Sequence, residues 1–255
     1  MTIKDQTYNS ARVEIGKIYY DTLNFIKYGK IDMFYKFCIE TTTICNRKCS
    51  YCPNSKFTRG NHKMKFSLFK KIIDELKEIN YNQWIIPSFY NEPFLEKRLL
   101  KLLKYTKEQL PKSKVWIFSN GDFLNQKKID KVDRYVDKYL ITNHGKLNPN
   151  IPKNNKIVIE NLKYADTRGG LVDVGDKIIM PKKNCLLPTS TPQILYNGDM
   201  ILCCNDYFGK YVFGNLKKEN IMEIWNKPNY KRIRKELRNG VVKLPICKNC
   251  FSGDK

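Results

Sequence analysis

The chain has 255 residues, of which 42% are hydrophobic and 13% aromatic. This composition excludes an intrinsically disordered protein and allows a sizeable core, in one large domain or one domain with an appendix. The formal net charge is +22, but the lysines are spread along the chain and form no single basic block, so we expect no nucleic-acid partner.

The sequence shows no sign of a membrane or secretory protein. No run approaches the roughly 18 to 20 apolar residues of a membrane span, and residues 1–17 lack the apolar segment of a secretory signal. We therefore expect no membrane contact and a cytoplasmic location. In that reducing compartment the nine cysteines are better explained as metal ligands or reactive groups than as disulfides.

Helical and strand-like segments alternate along the first 160 residues. A helix is predicted over Val13–Tyr28, with Gly29 as its stop. Further helices are predicted over 66–79, 92–110 and 125–136, and strands over 33–40, 83–90, 114–119, 138–142 and 155–160. Because the strands are apolar throughout, a parallel sheet covered by helices is indicated. We predict an α/β fold with a partial (β/α) barrel.

Four polar loops follow predicted strands, where barrels of this kind carry their chemistry. These loops are TTTICNRKCSYCPNS, YNEPF, SNGDF and TNHGK. After about residue 180 the alternation of strands and helices ends. The sequence there predicts a hairpin with an Asn197-Gly198 turn, a helix-rich stretch and a terminal CKNC motif. The predicted domains are an N-terminal helical extension at 1–33, the partial barrel at 34–180 and a small cysteine-bearing domain at 181–255.

Three cysteines, Cys45, Cys49 and Cys52, stand in a CX3CX2C arrangement after the first predicted strand. Structural zinc takes four ligands, usually as two pairs, and the nearest histidine, His62, is ten residues further on. Three thiolates on a [4Fe-4S] cluster instead leave one iron open for a substrate or cofactor. A zinc site or a disulfide is the alternative.

This spacing, with the aromatic Tyr51 before the third cysteine, resembles the radical SAM superfamily. The resemblance implies that the open iron binds the amino and carboxylate groups of S-adenosylmethionine (SAM), whose reductive cleavage gives a 5'-deoxyadenosyl radical. It also implies that Glu92 of FYNEP accepts the methionine ammonium, and that Tyr51, Ser119, Asn120 and His144 contact the cofactor or substrate. The simpler roles are a helix-capping carboxylate, an Asn-Gly turn and a structural histidine.

The second cysteine set has the pattern CX12GX4C followed by CX2C and comprises Cys185, Cys203, Cys247 and Cys250. It resembles the twitch, or half-SPASM, extension of radical SAM enzymes, with five residues after the last cysteine. The resemblance implies an auxiliary [4Fe-4S] cluster whose four thiolates leave no iron open, so that it passes electrons. Zinc is again the alternative. The implied cofactors are thus two [4Fe-4S] clusters and SAM.

The motifs CNRKCSYCPNS, FYNEP, SNGDFL, ITNHGK and TRGG occur in an order that resembles the twitch radical SAM alcohol dehydrogenases. The resemblance implies oxidation of a secondary alcohol in an aminocyclitol or sugar-like molecule, neutral or anionic, and an external reductant such as flavodoxin or ferredoxin. It also implies that Arg168 of TRGG hydrogen bonds to the reacting alcohol. Because a guanidinium stays protonated and is a poor base, we assign Arg168 to stabilisation of the developing oxyanion.

Two further cysteines, Cys38 and Cys204, belong to neither set. Radical SAM epimerases return a hydrogen atom from a free thiol, so Cys204 is a candidate catalytic residue. An epimerase or a peptide-modifying twitch enzyme is therefore the main alternative, although a small buried hydrophobe is the simpler role for each thiol. An RNA-modifying enzyme and a non-enzymatic metal-binding adaptor are the remaining alternatives.

Overall fold

The computed structural model describes residues 15, 18–19, 21–26, 28–29, 32–143, 145, 147–161, 167–173 and 185–251. Its centre is a sheet of eight strands in the order β5-β4-β3-β2-β1-β6-β7-β8. The strands are β1 Lys36–Ile39, β2 Trp84–Ile86, β3 Lys114–Ser119, β4 Lys138–Asn143, β5 Ile157–Asn161, β6 Gln193–Ile194, β7 Asp199–Ile201 and β8 Val212–Asn215.

Seven helices accompany the sheet within the described ranges from residue 32 onward. They are α1 Phe66–Glu78, α2 Leu99–Gln109, α3 Gln126–Val132, α4 Leu187–Ser190, α5 Ile221–Trp225, α6 Pro228–Arg238 and α7 Pro245–Phe251. Of the predicted N-terminal extension, the described residues 21–26 are helical, and most of residues 1–20 lie outside the described part of the chain. No helix in the described ranges has the length and apolar character needed to span a membrane.

The predicted α/β architecture is confirmed. Strands β1 to β5 pair in parallel, in chain order, and helices α1, α2 and α3 connect successive strands between β1 and β4. The α1 helix buries one apolar stripe, formed by Leu68, Phe69, Ile72, Ile73 and Leu76. Parallel strands direct all their carboxyl ends to one edge, so the loops after β1, β2, β3 and β4 share that edge.

The C-terminal region continues the same sheet. Strand β6 pairs in parallel with β1, with Cys38 opposite Gln193, and β7 and β8 follow antiparallel. The predicted Asn197-Gly198 turn between β6 and β7 is confirmed, and Gly198 has a φ of 94°, which favours glycine. The segment with the second cysteine set is therefore tied to β1 by backbone hydrogen bonds.

Two element boundaries differ from the sequence prediction. Strand β2 ends at Ile86, just before Pro87, which has no amide hydrogen to donate to a strand ladder. The helix predicted from residue 92 is instead a 3₁₀ turn at Pro93–Leu95 followed by α2 from Leu99, because Glu96 is extended and the chain bends there. This break leaves Glu92 at the start of a separate turn, beside the ends of β1 and β3.

Candidate active site

The cysteine loop, defined as residues 44–63, is closed at its base by threonines that follow β1. Thr42 forms an isolated antiparallel bridge with Lys63, and its Oγ1 donates to the His62 carbonyl oxygen at 3.0 Å. Thr43 Oγ1 donates to the Gly60 carbonyl at 2.6 Å and accepts from the His62 amide at 2.8 Å. Thr42 and Thr43 thus connect the start of the loop to its end by hydrogen bonds.

Within the loop, the three thiols of the first set lie close to one another. Burial raises the pKa of Cys45, and nearby Glu92, Cys52 and Cys49 raise it further. The Cys52 amide donates to the Cys49 carbonyl at 2.8 Å, and Cys52 caps the 3₁₀ turn Pro53–Ser55. The loop therefore directs its three sulfurs toward one region.

The loop is fixed to the end of β3 by a polar network around Asp122. Arg47 binds both carboxylate oxygens of Asp122, and Asn46 donates to the same carboxylate at 2.7 Å. Asn120 Nδ2 donates to Asn46 Oδ1 at 2.9 Å. The Arg47 hydrogen bond holds the pKa of Asp122 below its usual range. Because Asn46 and Arg47 lie between Cys45 and Cys49, this network orients the sulfurs.

Glu92, Ser119 and Asn120 are brought together, as the sequence predicted for one rim, and all three are buried. Glu92 Oε1 accepts from the Phe94 amide at 3.0 Å and from Ser119 Oγ at 2.8 Å, while Oε2 accepts from the Asn120 amide at 2.8 Å. Burial raises the pKa of Glu92, and these donors oppose the rise. The carboxylate is therefore a capping group, and three of its roughly four acceptor positions are used.

A second ion pair, which the sequence did not reveal, lies beneath the loop. Glu40 is fully buried and binds the guanidinium of Arg59, and its Oε2 also accepts from the Tyr196 amide at 3.3 Å. Burial raises the pKa of Glu40, and Arg59 opposes the rise. The Arg59 guanidinium carbon lies 5.0 Å from the Phe89 ring centre and 4.6 Å from that of Tyr207.

The second cysteine set gathers around Asn205. The Asn205 amide donates to Cys203 Sγ at 3.4 Å, and its Nδ2 donates to Cys250 Sγ at 3.2 Å. Burial raises the pKa of Cys203, and so do the nearby thiols of Cys204, Cys185 and Cys247. Hydrogen bonds to ligand sulfurs tune iron-sulfur clusters, so Asn205 is a candidate functional residue that spacing alone did not indicate.

The donor sets fit the two groups that the sequence implied. Three thiols meet in the first set and four in the second, as expected for an open and a closed [4Fe-4S] cluster. Among the described residues, no three His, Cys, Asp or Glu side chains are placed to share a single metal ion. A cluster does not require that spacing, because each thiolate binds its own iron.

Arg168 lies between the two cysteine sets. It adopts a φ of 53° in a turn where the Gly170 and Val172 amides donate to the Thr167 carbonyl. Its charge lowers the pKa of Cys52, which burial raises overall. On the other side, Thr167 Oγ1 donates to the Asn249 carbonyl at 3.2 Å, on the helix that carries Cys247 and Cys250.

The remaining predicted site residues are placed as follows. Tyr51 lines a surface cavity together with Arg47, Lys48 and Cys49. Cys204 is partly buried and close enough to Cys38 to raise the pKa of that thiol, although burial is the larger cause. His144 lies outside the described residues.

Comparison with known families agrees with this geometry. The model of the radical SAM superfamily matches residues 39–179, and that of SPASM, an iron-sulfur cluster-binding domain, matches residues 185–251. The first match spans more than half of the chain, which therefore belongs to the radical SAM superfamily. This confirms the resemblance predicted from the cysteines. Membership implies SAM with a SAM-binding [4Fe-4S] cluster, and the SPASM match implies an auxiliary iron-sulfur cluster.

Individual relatives cover most of the chain. It is 28% identical over 226 residues to the S-adenosyl-L-methionine-dependent 2-deoxy-scyllo-inosamine dehydrogenase of Niallia circulans, covering 83% of this chain and 90% of that protein. It is similar to the crystal structure of BtrN in complex with AdoMet and 2-DOIA, with a TM-score of 0.77, 28% identity, and coverage of 85% and 92%. The anSMEcpe structure with bound AdoMet, at 13% identity, 86% coverage of each chain and a TM-score of 0.52, supports the fold alone.

The two cysteine sets should be separable by their iron content. We expect anaerobically reconstituted wild-type protein to hold about eight irons per chain. Replacing the first cysteine set (positions 45, 49 and 52) by alanine should remove about four irons. Replacing the second set (positions 185, 203, 247 and 250) should remove the other four. Iron and sulfide quantification measures both. Replacement of Cys38 by alanine is the control, and equal iron in all variants would contradict the assignment.

Gly169 should be required for the turn that carries Arg168, residues 167–172, to pack on α7. It has a φ of 67°, and a Cβ added there would lie 2.5 Å from Ile246 Cγ1 on α7. Gly169→Ala should therefore displace the turn from α7 and lower substrate turnover at least tenfold, with the first cluster retained. Turnover and iron content measure this. Gly29→Ala is the control, since Gly29 has a φ of 63° but an added Cβ there meets nothing within 4 Å; equal losses in both variants would contradict the prediction.

The Glu40–Arg59 pair should contribute strongly to stability. Glu40→Gln leaves the buried Arg59 charge without its counter-ion, and breaking a buried pair in this way costs about 3 to 5 kcal/mol. Chemical denaturation under anaerobic conditions measures the change. Glu108→Gln is the matched control, because Glu108 pairs with Lys104 in an exposed position and should change stability by less than about 1 kcal/mol. Similar losses in the two variants would contradict the burial argument.

Proposed function

We propose that this radical SAM enzyme oxidises a secondary alcohol of an aminocyclitol or sugar-like small molecule to a ketone. The observation that carries the proposal is the position of the Arg168 turn. Arg168 lies beside Cys52 of the first set, and the same turn packs on the helix with Cys247 and Cys250. A substrate held at Arg168 would therefore lie between a radical source and an electron acceptor.

Similarity to a named dehydrogenase supports the same reaction class. The relative from Niallia circulans is named for oxidation of 2-deoxy-scyllo-inosamine, and the two chains correspond over most of their lengths. We extend from that protein the reaction class and the aminocyclitol or sugar-like character of the substrate. We also propose the division of labour predicted from the sequence, with residues 34–180 for SAM and substrate and residues 181–255 for the auxiliary cluster.

When bound, SAM and the two clusters would supply a radical that removes the hydrogen on the alcohol carbon and an acceptor for the electron left behind. The protein itself would position the alcohol and assist the loss of its hydroxyl proton. Arg168 would hydrogen bond to the alcohol oxygen and stabilise the negative charge that develops when the hydroxyl proton leaves. A guanidinium with a pKa above about 12 cannot accept that proton, which passes to another group or to water.

The first cysteine set and its surroundings would hold SAM. Glu92 Oε2 accepts one described hydrogen bond, from the Asn120 amide, and a carboxylate oxygen has room for a second donor such as the methionine ammonium. Ser119 and Asn120 would act mainly by fixing Glu92 and the cysteine loop. Tyr51 and His144 are retained as proposed cofactor contacts.

An external one-electron donor such as flavodoxin or ferredoxin would reach the first cluster at the Cys49 side of the loop. Arg47, Lys48, Cys49 and Tyr51 line one surface cavity there, and Lys48 is exposed. Small redox proteins of this kind are acidic, so a basic rim would favour their approach.

An epimerase is the alternative reaction, which the similarity to a named dehydrogenase does not favour. Cys204 and Cys38 are spare thiols close to each other, and the charge of Cys204 also acts on Tyr90 near the first set. A thiol in that position could return a hydrogen atom to a substrate radical, and the external one-electron donor and a proton would then convert the resulting thiyl radical back to the thiol. Solvent deuterium at a carbon of an isomerised product would favour this reaction.

The deciding experiment is anaerobic reconstitution followed by incubation with reductant, SAM and a panel of aminocyclitols and sugars. A dehydrogenase gives ketone and 5'-deoxyadenosine in equal amounts, and deuterium on the reacting carbon appears in 5'-deoxyadenosine. Isomerised product with solvent deuterium and no ketone would replace the proposal by epimerisation. Cleavage of SAM without any change in the panel would reject this substrate class.

Arg168 should affect oxidation more than SAM cleavage. We expect Arg168→Ala and Arg168→Lys to lower ketone formation at least 100-fold, because the oxyanion loses its stabilising donor. Formation of 5'-deoxyadenosine without substrate should change less than about threefold. Arg232→Ala, at an exposed position of α6, is the control. Parallel loss of both activities in the Arg168 variants would refute the role.

A further inference from the structure

Tyr90 has a buried hydroxyl without a hydrogen-bond partner in the described part of the chain. The residue follows β2, in the segment that also carries Glu92, and its Oη has no donor or acceptor within reach. Nearly all buried polar groups in folded proteins are hydrogen bonded, and an exception calls for an explanation such as a ligand. The group is a phenol, which both donates and accepts.

The ring of Tyr90 is held firmly, so its hydroxyl has a defined position. The ring contacts Phe89 and Tyr207 edge to face, with centres 4.5 and 4.9 Å away. Its backbone carbonyl accepts from Asn54 Nδ2 at 2.8 Å, and the same Asn54 side chain accepts from Tyr207 Oη at 2.8 Å. The cysteine loop and the segment after β7 thus both contribute to fixing Tyr90.

The hydroxyl lies in the gap between the two cysteine sets. Four charged or ionisable groups act on it: Arg168, Cys204, Cys52 and Cys203, so Tyr90 is near one member of each set and near the arginine. A second buried donor without a described partner, Arg59 Nε, is adjacent, since the Arg59 guanidinium carbon lies 6.0 Å from the Tyr90 ring centre. Two unsatisfied donors at this place suit a ligand rich in oxygen atoms.

We propose that the Tyr90 hydroxyl donates a hydrogen bond to a hydroxyl oxygen of the substrate and so sets which carbon faces the radical. The inference rests on the proposed oxidation at Arg168 and adds a second anchoring point to it. Two side chains, Arg168 and Tyr90, would hold the ring at two separate oxygens from two directions and so fix its orientation. The bond requires no proton or electron transfer by Tyr90.

A bond from Tyr90 to SAM is the competing explanation, and the geometry favours the substrate. SAM would be held at the first cysteine set, whereas Tyr90 is also close to Cys203 and Cys204 of the C-terminal segment. A substrate that delivers an electron to the second cluster must occupy that intervening space. Measurement of SAM affinity separates the two explanations.

The test uses Tyr90→Phe in the reconstituted enzyme, since phenylalanine keeps the ring contacts and deletes the hydroxyl. We expect kcat/KM for ketone formation to fall about 5- to 100-fold. The yield of ketone per 5'-deoxyadenosine should fall as well, because a loosely held substrate reacts less often with the 5'-deoxyadenosyl radical before that radical is quenched by another hydrogen donor. Iron content, SAM affinity and melting temperature should be unchanged. Tyr230→Phe is the matched control: its hydroxyl is also buried and without a described partner, but its ring stacks on Phe213 in the core at 3.8 Å.

A substrate series identifies the partner oxygen. Analogues of an accepted substrate that each lack one hydroxyl are compared in wild type and Tyr90→Phe. For the analogue without the partner hydroxyl, the two enzymes should have the same kcat/KM, because the interaction is already absent. If no analogue removes the difference, or if Tyr90→Phe weakens SAM binding instead, the inference is wrong. Failure of the wild type to form ketone would refute the proposed function, whereas equal kcat/KM and yield in Tyr90→Phe would refute this inference alone.

Discussion

The buried ion pair between Glu40 and Arg59 is the interaction on which the site geometry depends. Glu40 directly follows β1; its amide donates to the Ile194 carbonyl of β6, and its carboxylate accepts from the Tyr196 amide in the hairpin turn. Arg59 comes from the cysteine loop and packs on the rings of the next segments. One charge pair thus joins β1, the hairpin and the loop, and its burial makes the attachment costly to break.

This attachment explains how two distant cysteine sets share one site. The first set follows β1. Cys203 of the second set follows β7, which is separated from β1 by β6 alone in the sheet. Because β6 pairs with β1 in fixed register, the chain after β7 cannot move away from the cysteine loop without breaking backbone hydrogen bonds. Tyr207 Oη, bonded to Asn54 in the loop, holds that segment at a second point. The pairing of the strands therefore fixes the position of the gap that contains Tyr90 and Arg168.

The sequence predicted the architecture and the two groups of cysteines that lie close together, because both depend on local patterns. Apolar strands between amphipathic helices indicate a parallel sheet, and cysteine spacing indicates ligand number. The role of Asn205, the pair of Glu40 with Arg59 and the position of Tyr90 had no such signal, because their partners lie far away in the sequence; Asn205 and Cys250, for example, are hydrogen bonded across the C-terminal helices. Glu92 lies on the same rim as Ser119 and Asn120, as predicted from the strand ends, but its hydrogen bonds from the Phe94 and Asn120 amides could be seen only in three dimensions.

In the proposed reaction, the location of Arg168 would also offset an electrostatic repulsion. Thiolates that ligate iron bring negative charge to both sides of the gap, and an alkoxide formed between them would be repelled by both. A guanidinium there would offset this repulsion. The positive charge of Arg168 already lowers the pKa of Cys52 and Tyr90, although burial is the larger cause and raises both pKa values. Lysine would supply the charge but not the planar set of donors, and a neutral side chain would supply neither. Under the proposed function, the left-handed turn that Gly169 and Gly170 extend would place one cation where the substrate loses its proton.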